Sequence, residues 1–349
     1  MKMRYVVLAA LVLSVVSIYA CKSVETTSAV LHNEHGNYAK AIEMANAALA
    51  KNPNDAEAHF QLGVSYSYTG DMKGAYREFT LAGQLDPAKR ADAETDIKSN
   101  WAKHFNSGLS EFQAENQAGA AHEFELATWA DPRQVKGWLN LAKVYYTMGL
   151  KDSTYLDSAY VDVDTLLAKT QPKDEEYTAV LALSGEVMVR RGMTDKAADI
   201  FQKLLADDPS QYETVETSAE ALLNRKDWEG GAKLLEMAID ARKKTNSEDF
   251  QSYYNLGVAY YNSKNYPKAI EMYTEAATLD PEQKSAQYSL LLAYFQSEQL
   301  DDAILTGEKF TQKWPDDPNG WRILGLAYSK KGMNIKAEEA AKKFQQLTQ

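Results

Sequence analysis

The prolines of this chain keep a step of 34 residues, and that step constrains the fold more than any other feature. Pro53 to Pro87 is 34 residues, and so is Pro281 to Pro315. The intervals Pro87–Pro132, Pro132–Pro172 and Pro172–Pro209 are 45, 40 and 37 residues, one step with a short insertion each. Pro209 to Pro281 is 72 residues, two steps and a four-residue spacer, so seven of the nine prolines mark the same period. A fixed period in the 20–50 residue range means stacked supersecondary units, because one unit of that size cannot bury its apolar face alone.

The interior of each unit keeps the register. Residues 56–89 place Leu62-Gly63, Tyr66, Gly70-Asp71, Ala75, Phe79, Ala82 and Asp86-Pro87 in order, and 250–283 hold Leu256-Gly257, Tyr260, Ala269, Tyr273, Ala276 and Asp280-Pro281 at the same offsets. Apolar residues at i, i+3, i+4 and i+7 predict two amphipathic helices per unit, and the proline stops the second. Glycine inside a helix costs about 1 kcal/mol relative to alanine. Gly63, Gly108, Gly185, Gly257 and Gly325 therefore predict a close approach of the partner helix, with Ala41, Ala75, Ala120, Ala197, Ala269, Ala303 and Ala337 as the small residues opposite.

This pattern resembles the tetratricopeptide repeat, a helix–turn–helix unit. The resemblance implies an all-α fold, a superhelix (α-solenoid) of about eight to nine repeats. Full repeats are expected at 56–89, 101–134, 135–174, 178–211, 212–245, 250–283, 284–317 and 318–349, after a half repeat at 36–55 carried by Gly36-Asn37-Tyr38, Ala41, Ala48 and Pro53. Residues 21–35 are expected to be a tether, with a short, poorly patterned first helix from Glu25 to Asn33 as the alternative. The eleven residues 90–100 contain neither glycine nor proline, which predicts a lengthened helix rather than a loop.

Residues 1–20 form a basic start (Lys2, Arg4) and a sixteen-residue apolar run from Tyr5 to Ala20, short for a membrane span of about 20 residues. Its composition predicts a signal peptide. The chain's single cysteine, Cys21, ends that run, and Ile18-Tyr19-Ala20 before it resembles a bacterial lipobox. The resemblance implies lipidation at Cys21 and anchoring to a membrane. Lys22, rather than aspartate, after the cysteine implies the outer membrane, facing the periplasm. Net charge is −11, and −13 without Lys2 and Arg4, 36 bases against 49 acids. Such a balance argues against nucleic-acid binding, which needs clustered Lys and Arg.

The chain carries no nucleotide-binding glycine fingerprint, P-loop or zinc-protease helix, and a cysteine committed to lipid cannot serve as a nucleophile. An enzyme is not expected, nor any cofactor or metal. His59 and His104 fall on one repeat position, usually tryptophan, and read as packing. Asp157, Asp162 and Asp164 lack the glycine and terminal glutamate of a calcium loop.

Binding residues follow from the family resemblance, which places first-helix positions 2, 5, 6, 9, 12 and 13 on the concave face. Those positions include Phe60, Phe105, Asn106 and Lys136, then Asn140, Lys143 and Tyr146. In the later repeats they include Tyr254, Asn255, Tyr261 and Tyr288. Asn106, Asn140 and Asn255 share one position, and an amide can donate to and accept from an extended peptide backbone. Lys136, Asn140 and Lys143 lie on one helix face, the nearest arrangement to an anion site. The carboxylate clamp of chaperone-binding relatives is not expected, since Phe60 and Val64 occupy its positions. The expected function is a tethered scaffold that binds envelope proteins or peptide segments in its groove. Self-association through the final helix, with Phe344 and Leu347, and a glycan-binding groove are the alternatives.

Overall fold

A computed structural model describes residues 23–349. Cys21 and the apolar leader lie outside the described residues. Eighteen α-helices and one 3-10 turn follow one another without a strand among the described residues. The described residues divide into two compact units, with the boundary between Asp162 and Val163, where the repeat pattern alone predicts one continuous array.

The first unit contains α1 (Val24–Glu34), α2 (Tyr38–Lys51), α3 (Ala56–Thr69), α4 (Met72–Leu85), α5 (Arg90–Gln113), α6 (Gln117–Ala130), α7 (Val135–Gly149) and the start of α8 (Tyr155–Lys169). The second takes the rest of α8, then α9 (Tyr177–Arg190), α10 (Thr194–Asp207), α11 (Tyr212–Asn224), α12 (Trp228–Thr245) and α13 (Phe250–Asn262). It ends with α14 (Tyr266–Leu279), α15 (Lys284–Gln296), α16 (Leu300–Lys313), α17 (Pro318–Lys330) and α18 (Asn334–Thr348). Odd-numbered helices are the first helices of the pairs and even-numbered ones the second.

The expected tether is corrected by the structure. Residues 24–34 form a helix capped by Ser23, whose side chain accepts from the Thr26 N–H. Its Ala29 is fully buried in one cluster with Ala45 and Leu62, and Asn33 donates to the Gln61 backbone carbonyl at 2.9 Å. The half repeat at 36–55 is therefore a full one beginning at α1. Its pattern is faint because alanine, not glycine and an aromatic, fills both inner positions (Ala29 and Ala45).

Four pairs interlock by size, their helix glycines facing aromatic rings sixteen residues on rather than the alanines, while Gly325 does face alanine, its Cβ position 3.3 Å from Ala340 and 3.7 Å from the Ala337 carbonyl. A Cβ on Gly63, Gly108, Gly185 or Gly257 would meet the ring of Phe79, Phe124, Phe201 or Tyr273 at 2.8, 2.7, 2.3 or 2.6 Å. All four rings are essentially fully buried. In the eighth pair the sizes are exchanged: Leu291 stands on the first helix and Gly307 on the second, where a Cβ would meet Leu291 at 3.2 Å.

In eight of the nine described pairs the inner turn takes one left-handed residue at the fifteenth position; the α7–α8 pair, where Gly149 falls there inside the helix, does without it. Gly36, Gly70, Gly192 and Gly332 supply it freely, while Glu115, Lys226, Lys264 and Glu298 adopt it with φ of 60–64°. The next residue caps the second helix where it is Asn or Asp. Asp71, for instance, accepts from the Gly74 N–H at 2.8 Å.

The 90–100 insertion does lengthen a helix. The first half of α5 packs on the preceding pair, burying Ala93 and Ile97 against Ala75 and Phe79, and the second half packs on α6. Arg133 fastens this extension. Its guanidinium bonds both Glu94 oxygens at 2.8 and 2.9 Å and reaches the buried Asp131 at 2.7 Å. Burial pushes the Asp131 carboxyl up, but the bonds from Arg133 and Gln134 outweigh it and hold it below the usual range.

Candidate functional site

In the first unit, the expected groove residues separate into packed and open ones. Phe60 sits edge-on to Phe79 with ring centroids 5.4 Å apart, and Lys89, ion-paired with Glu57, covers its face at 5.0 Å. Phe105 stacks on Trp101 at 4.7 Å and leans on Phe124. Both are walls rather than open contacts. Asn106, Lys136 and Lys143 are exposed, and Tyr146 is half-buried. Asn140 donates its amide to the Lys136 backbone carbonyl at 2.8 Å, so the Lys136–Asn140–Lys143 face spends that amide donor within its own helix.

The second unit gathers the predicted aromatics. Tyr254 stacks on Phe250 at 5.4 Å and leans on Tyr273 at 5.7 Å. Tyr261 meets Tyr266 edge-on at 5.5 Å. Its phenol is raised by burial and by the neighbouring Tyr266 and Tyr288 hydroxyls, with a bond to Gln296 opposing. Tyr288 leans on the buried Phe310 at 5.9 Å and accepts from the Arg322 guanidinium at 3.3 Å. Asn255 is held by two partners: it accepts from Gln251 at 2.8 Å and donates to Glu220 at 3.3 Å. The result is a row of half-buried tyrosines on α13 and α15, fixed from behind by packing, with Arg322 of α17 at its edge.

Sequence reasoning missed Gln251, Glu220 and Arg322. They lie one repeat, or one helical turn, from predicted residues, so the repeat register itself was the signal that could have found them. It also missed the lengthened start of α5 as a contributor to a site. There, a cleft of about 250 Å³ is lined by Val64, Ser67 and Tyr68 of α3 and by Asp96, Asn100 and Lys103 of α5. Asn100 donates to the Ser67 hydroxyl at 2.7 Å, and Tyr68 stacks flat on Tyr38 at 4.4 Å.

The tyrosines set aside as packing carry a second role. The Tyr328 phenol donates to Glu308 at 2.5 Å, and Lys336 binds the same carboxylate at 3.1 Å. Tyr260 with Glu236 and Lys268 repeats the arrangement. Each triad ties the second helix of one pair to both helices of the next. At the final helix, Phe344 and Leu347 are half-buried, and the openly exposed apolar side chain is Ile335.

Among the described residues no group of three His, Cys, Asp or Glu side chains could hold a metal ion, and no helix is long and apolar enough to cross a membrane. Stacked helix pairs with firmly seated tyrosine and amide side chains define a helical-repeat scaffold. Three models of the tetratricopeptide repeat match residues 26–65, 180–210 and 250–283. The chain is a tetratricopeptide-repeat protein. Among curated proteins it is similar to Superkiller protein 3 of Schizosaccharomyces pombe, 25% identical over 197 residues, covering 52% of this chain and 13% of that protein. It is also similar to the protein O-mannosyl-transferase TMTC1 of Homo sapiens, 33% identical over 96 residues, covering 26% of this chain and 10% of that protein. The chain thus spans about a tenth of the length of these relatives. Among solved structures it is similar to the C-terminal part of a TPR repeat-containing protein from Cytophaga hutchinsonii (19% identity, 70% of this chain and 95% of that one, TM-score 0.48). A MamA protein matches with 24% identity, 50% of this chain and 93% of that one, TM-score 0.40.

Proposed function

We propose that this chain is a membrane-tethered adaptor of the bacterial cell envelope, binding protein partners through the first-helix face of its repeats. The tetratricopeptide fold supports a protein-interaction scaffold. The observation that carries the particular reading is the tyrosine row of the second unit. Tyr254, Tyr261 and Tyr288 each lose little freedom on binding, because ring neighbours already hold them, and rigid amphipathic rings of this kind anchor protein partners. Asn255 and Arg322 beside them supply polar contacts. A partner would lie across α13, α15 and α17 as an extended segment or a helix. Tetratricopeptide repeats generally act as non-catalytic scaffolds, and no catalytic role is proposed.

The tether rests on the sequence: the apolar run and the lipobox-like Ile18-Tyr19-Ala20-Cys21 support a lipid anchor on Cys21, and Lys22 supports the outer membrane. Several acyl chains on one residue would anchor firmly, at about 0.8 kcal/mol per buried methylene.

Two measurements test the reading. Partners captured from envelope extract should be lost on the double substitution Tyr254→Ala with Asn255→Ala; undiminished capture would move the site elsewhere. Incorporation of labelled fatty acid should disappear in Cys21→Ala, and undiminished labelling would remove the lipid anchor from the proposal.

A further inference from the structure

The cleft between α3 and the lengthened start of α5 contains a charge that nothing among the described residues answers. Asp96 lines it, half-buried, and makes no hydrogen bond or ion pair among the described residues. Burial raises its carboxyl above the usual range, and Asp92, one turn earlier, adds to the effect. Lys103, two turns along the same helix face, also lines the cleft and makes no ion pair with it. A half-buried carboxylate with no partner gains from any cation that enters.

The rest of the lining narrows the kind of cation. Tyr68 presents a ring that is 68% exposed yet held flat against Tyr38 at 4.4 Å, so it offers a fixed aromatic face. Asn100 spends an amide proton on Ser67, which leaves its carbonyl oxygen as an acceptor. A carboxylate, an amide oxygen and a rigid ring suit a group that is planar, cationic and donates only. Guanidinium is that group; it pairs with carboxylates in a fork and stacks on aromatic faces, whereas an ammonium is a compact point charge. At about 250 Å³ the cleft is smaller than the roughly 300–1,000 Å³ of small-molecule sites, so it takes a side chain rather than a whole ligand.

We propose that this cleft seats an arginine side chain of a bound polypeptide, its guanidinium paired with Asp96 and laid against Tyr68. The proposal deepens, and rests on, the adaptor reading, and it gives partners a chemical mark: an extended segment with an arginine.

The test titrates the isotope-labelled full chain with acetyl-Gly-Arg-Gly-amide and with its lysine and citrulline counterparts, followed by amide NMR. The arginine peptide should shift Ser67, Ser99 and Lys103. The neutral, isosteric citrulline peptide should bind at least about tenfold more weakly. Asp96→Asn should lose the same factor for arginine while leaving the citrulline response unchanged. Tyr68→Leu should weaken arginine binding too, and it serves as the second variant if Asp96→Asn does not fold. Equal binding of arginine and citrulline, indifference to Asp96→Asn in a folded protein, or no response at these amides would each overturn the proposal. Partner capture dependent on Tyr254 and Asn255 without an arginine response would sink the cleft alone. An arginine response without captured partners would sink the adaptor reading and keep the cleft.

Discussion

Gly257 of α13 lies against the ring of Tyr273 on α14, so closely that a Cβ on the glycine would come within 2.6 Å of two ring atoms. The ring is 2% exposed and has nowhere to retreat. Gly257→Leu should therefore overpack the pair and cost about 1–3 kcal/mol, read as a lower denaturation midpoint. The exchanged pair Leu291 and Gly307 suggests a rescue: Gly257→Leu with Tyr273→Gly should recover part of the loss. An unchanged midpoint in the single variant would contradict this packing register.

Lys264 and Glu298 hold the left-handed turn position with φ of 64° and 62°, which costs a side-chain-bearing residue roughly 1 kcal/mol or more. Glycine already occupies that position at Gly36, Gly70, Gly192 and Gly332. Lys264→Gly and Glu298→Gly should each stabilise by several tenths to about 1 kcal/mol, despite the greater freedom glycine gives the unfolded chain. The reverse change, Gly70→Lys, should destabilise. Thermal midpoints of the three variants decide it; a loss in both glycine variants would show that the turn carries no strain.

Asp162 of α8 is 6% exposed, one of its carboxylate oxygens has no partner, and burial followed by the nearby Glu125 raises it from 3.8 to about 7. Tyr145, the equivalent of Tyr260 and Tyr328, therefore faces two acids where they face a glutamate and a lysine. A carboxyl raised on folding costs stability when ionised. The penalty is absent below the unfolded value near 3.8, grows as pH rises, and is complete above about 7. Asp162→Asn should raise the unfolding midpoint more at pH 8 than at pH 5, by a difference on the order of a few kcal/mol. A gain independent of pH would show that the carboxyl does not titrate there.

His59 and His104 hold the same repeat position and reach the same kind of partner, Glu78 at 2.6 Å and Glu123 at 2.8 Å. They differ at the other ring nitrogen. His59 Nε2 meets the Pro53 carbonyl at 3.0 Å, as the Trp138 and Trp321 indoles meet Pro132 and Pro315. His104 Nε2 is buried without a partner, because the insertion converts the corresponding carbonyl into part of helix α5. His59→Phe should thus cost more than His104→Phe, by about 1 kcal/mol, the net worth of one hydrogen bond. Urea midpoints of the two variants compare them directly; equal losses would remove the distinction.

The sequence alone determined the helix pairs, their number to within one, their breaks at proline and the lengthening of α5. Each of these depends on local spacing: 3.6-residue periodicity, a proline that cannot continue a helix, and an eleven-residue stretch with no residue to end one. It also picked out Tyr254, Tyr261 and Tyr288, since a repeat position is a position in space once units stack. Other features depended on what meets what across helices. Ala29 reads as an ordinary alanine until Ala45 and Leu62 close on it, so from sequence α1 was only an alternative to a tether. The helix glycines were legible, but that four of them face rings while Gly325 faces alanines depends on interhelical facing. Asn140 and Asn255 look alike in sequence, yet one donates to a carbonyl of its own helix and the other reaches Glu220 of the preceding pair. Asp96 became a candidate only because the lengthened helix lays it beside Tyr68 without supplying a counter-charge, and charge balance in a cleft is a property of the packed chain.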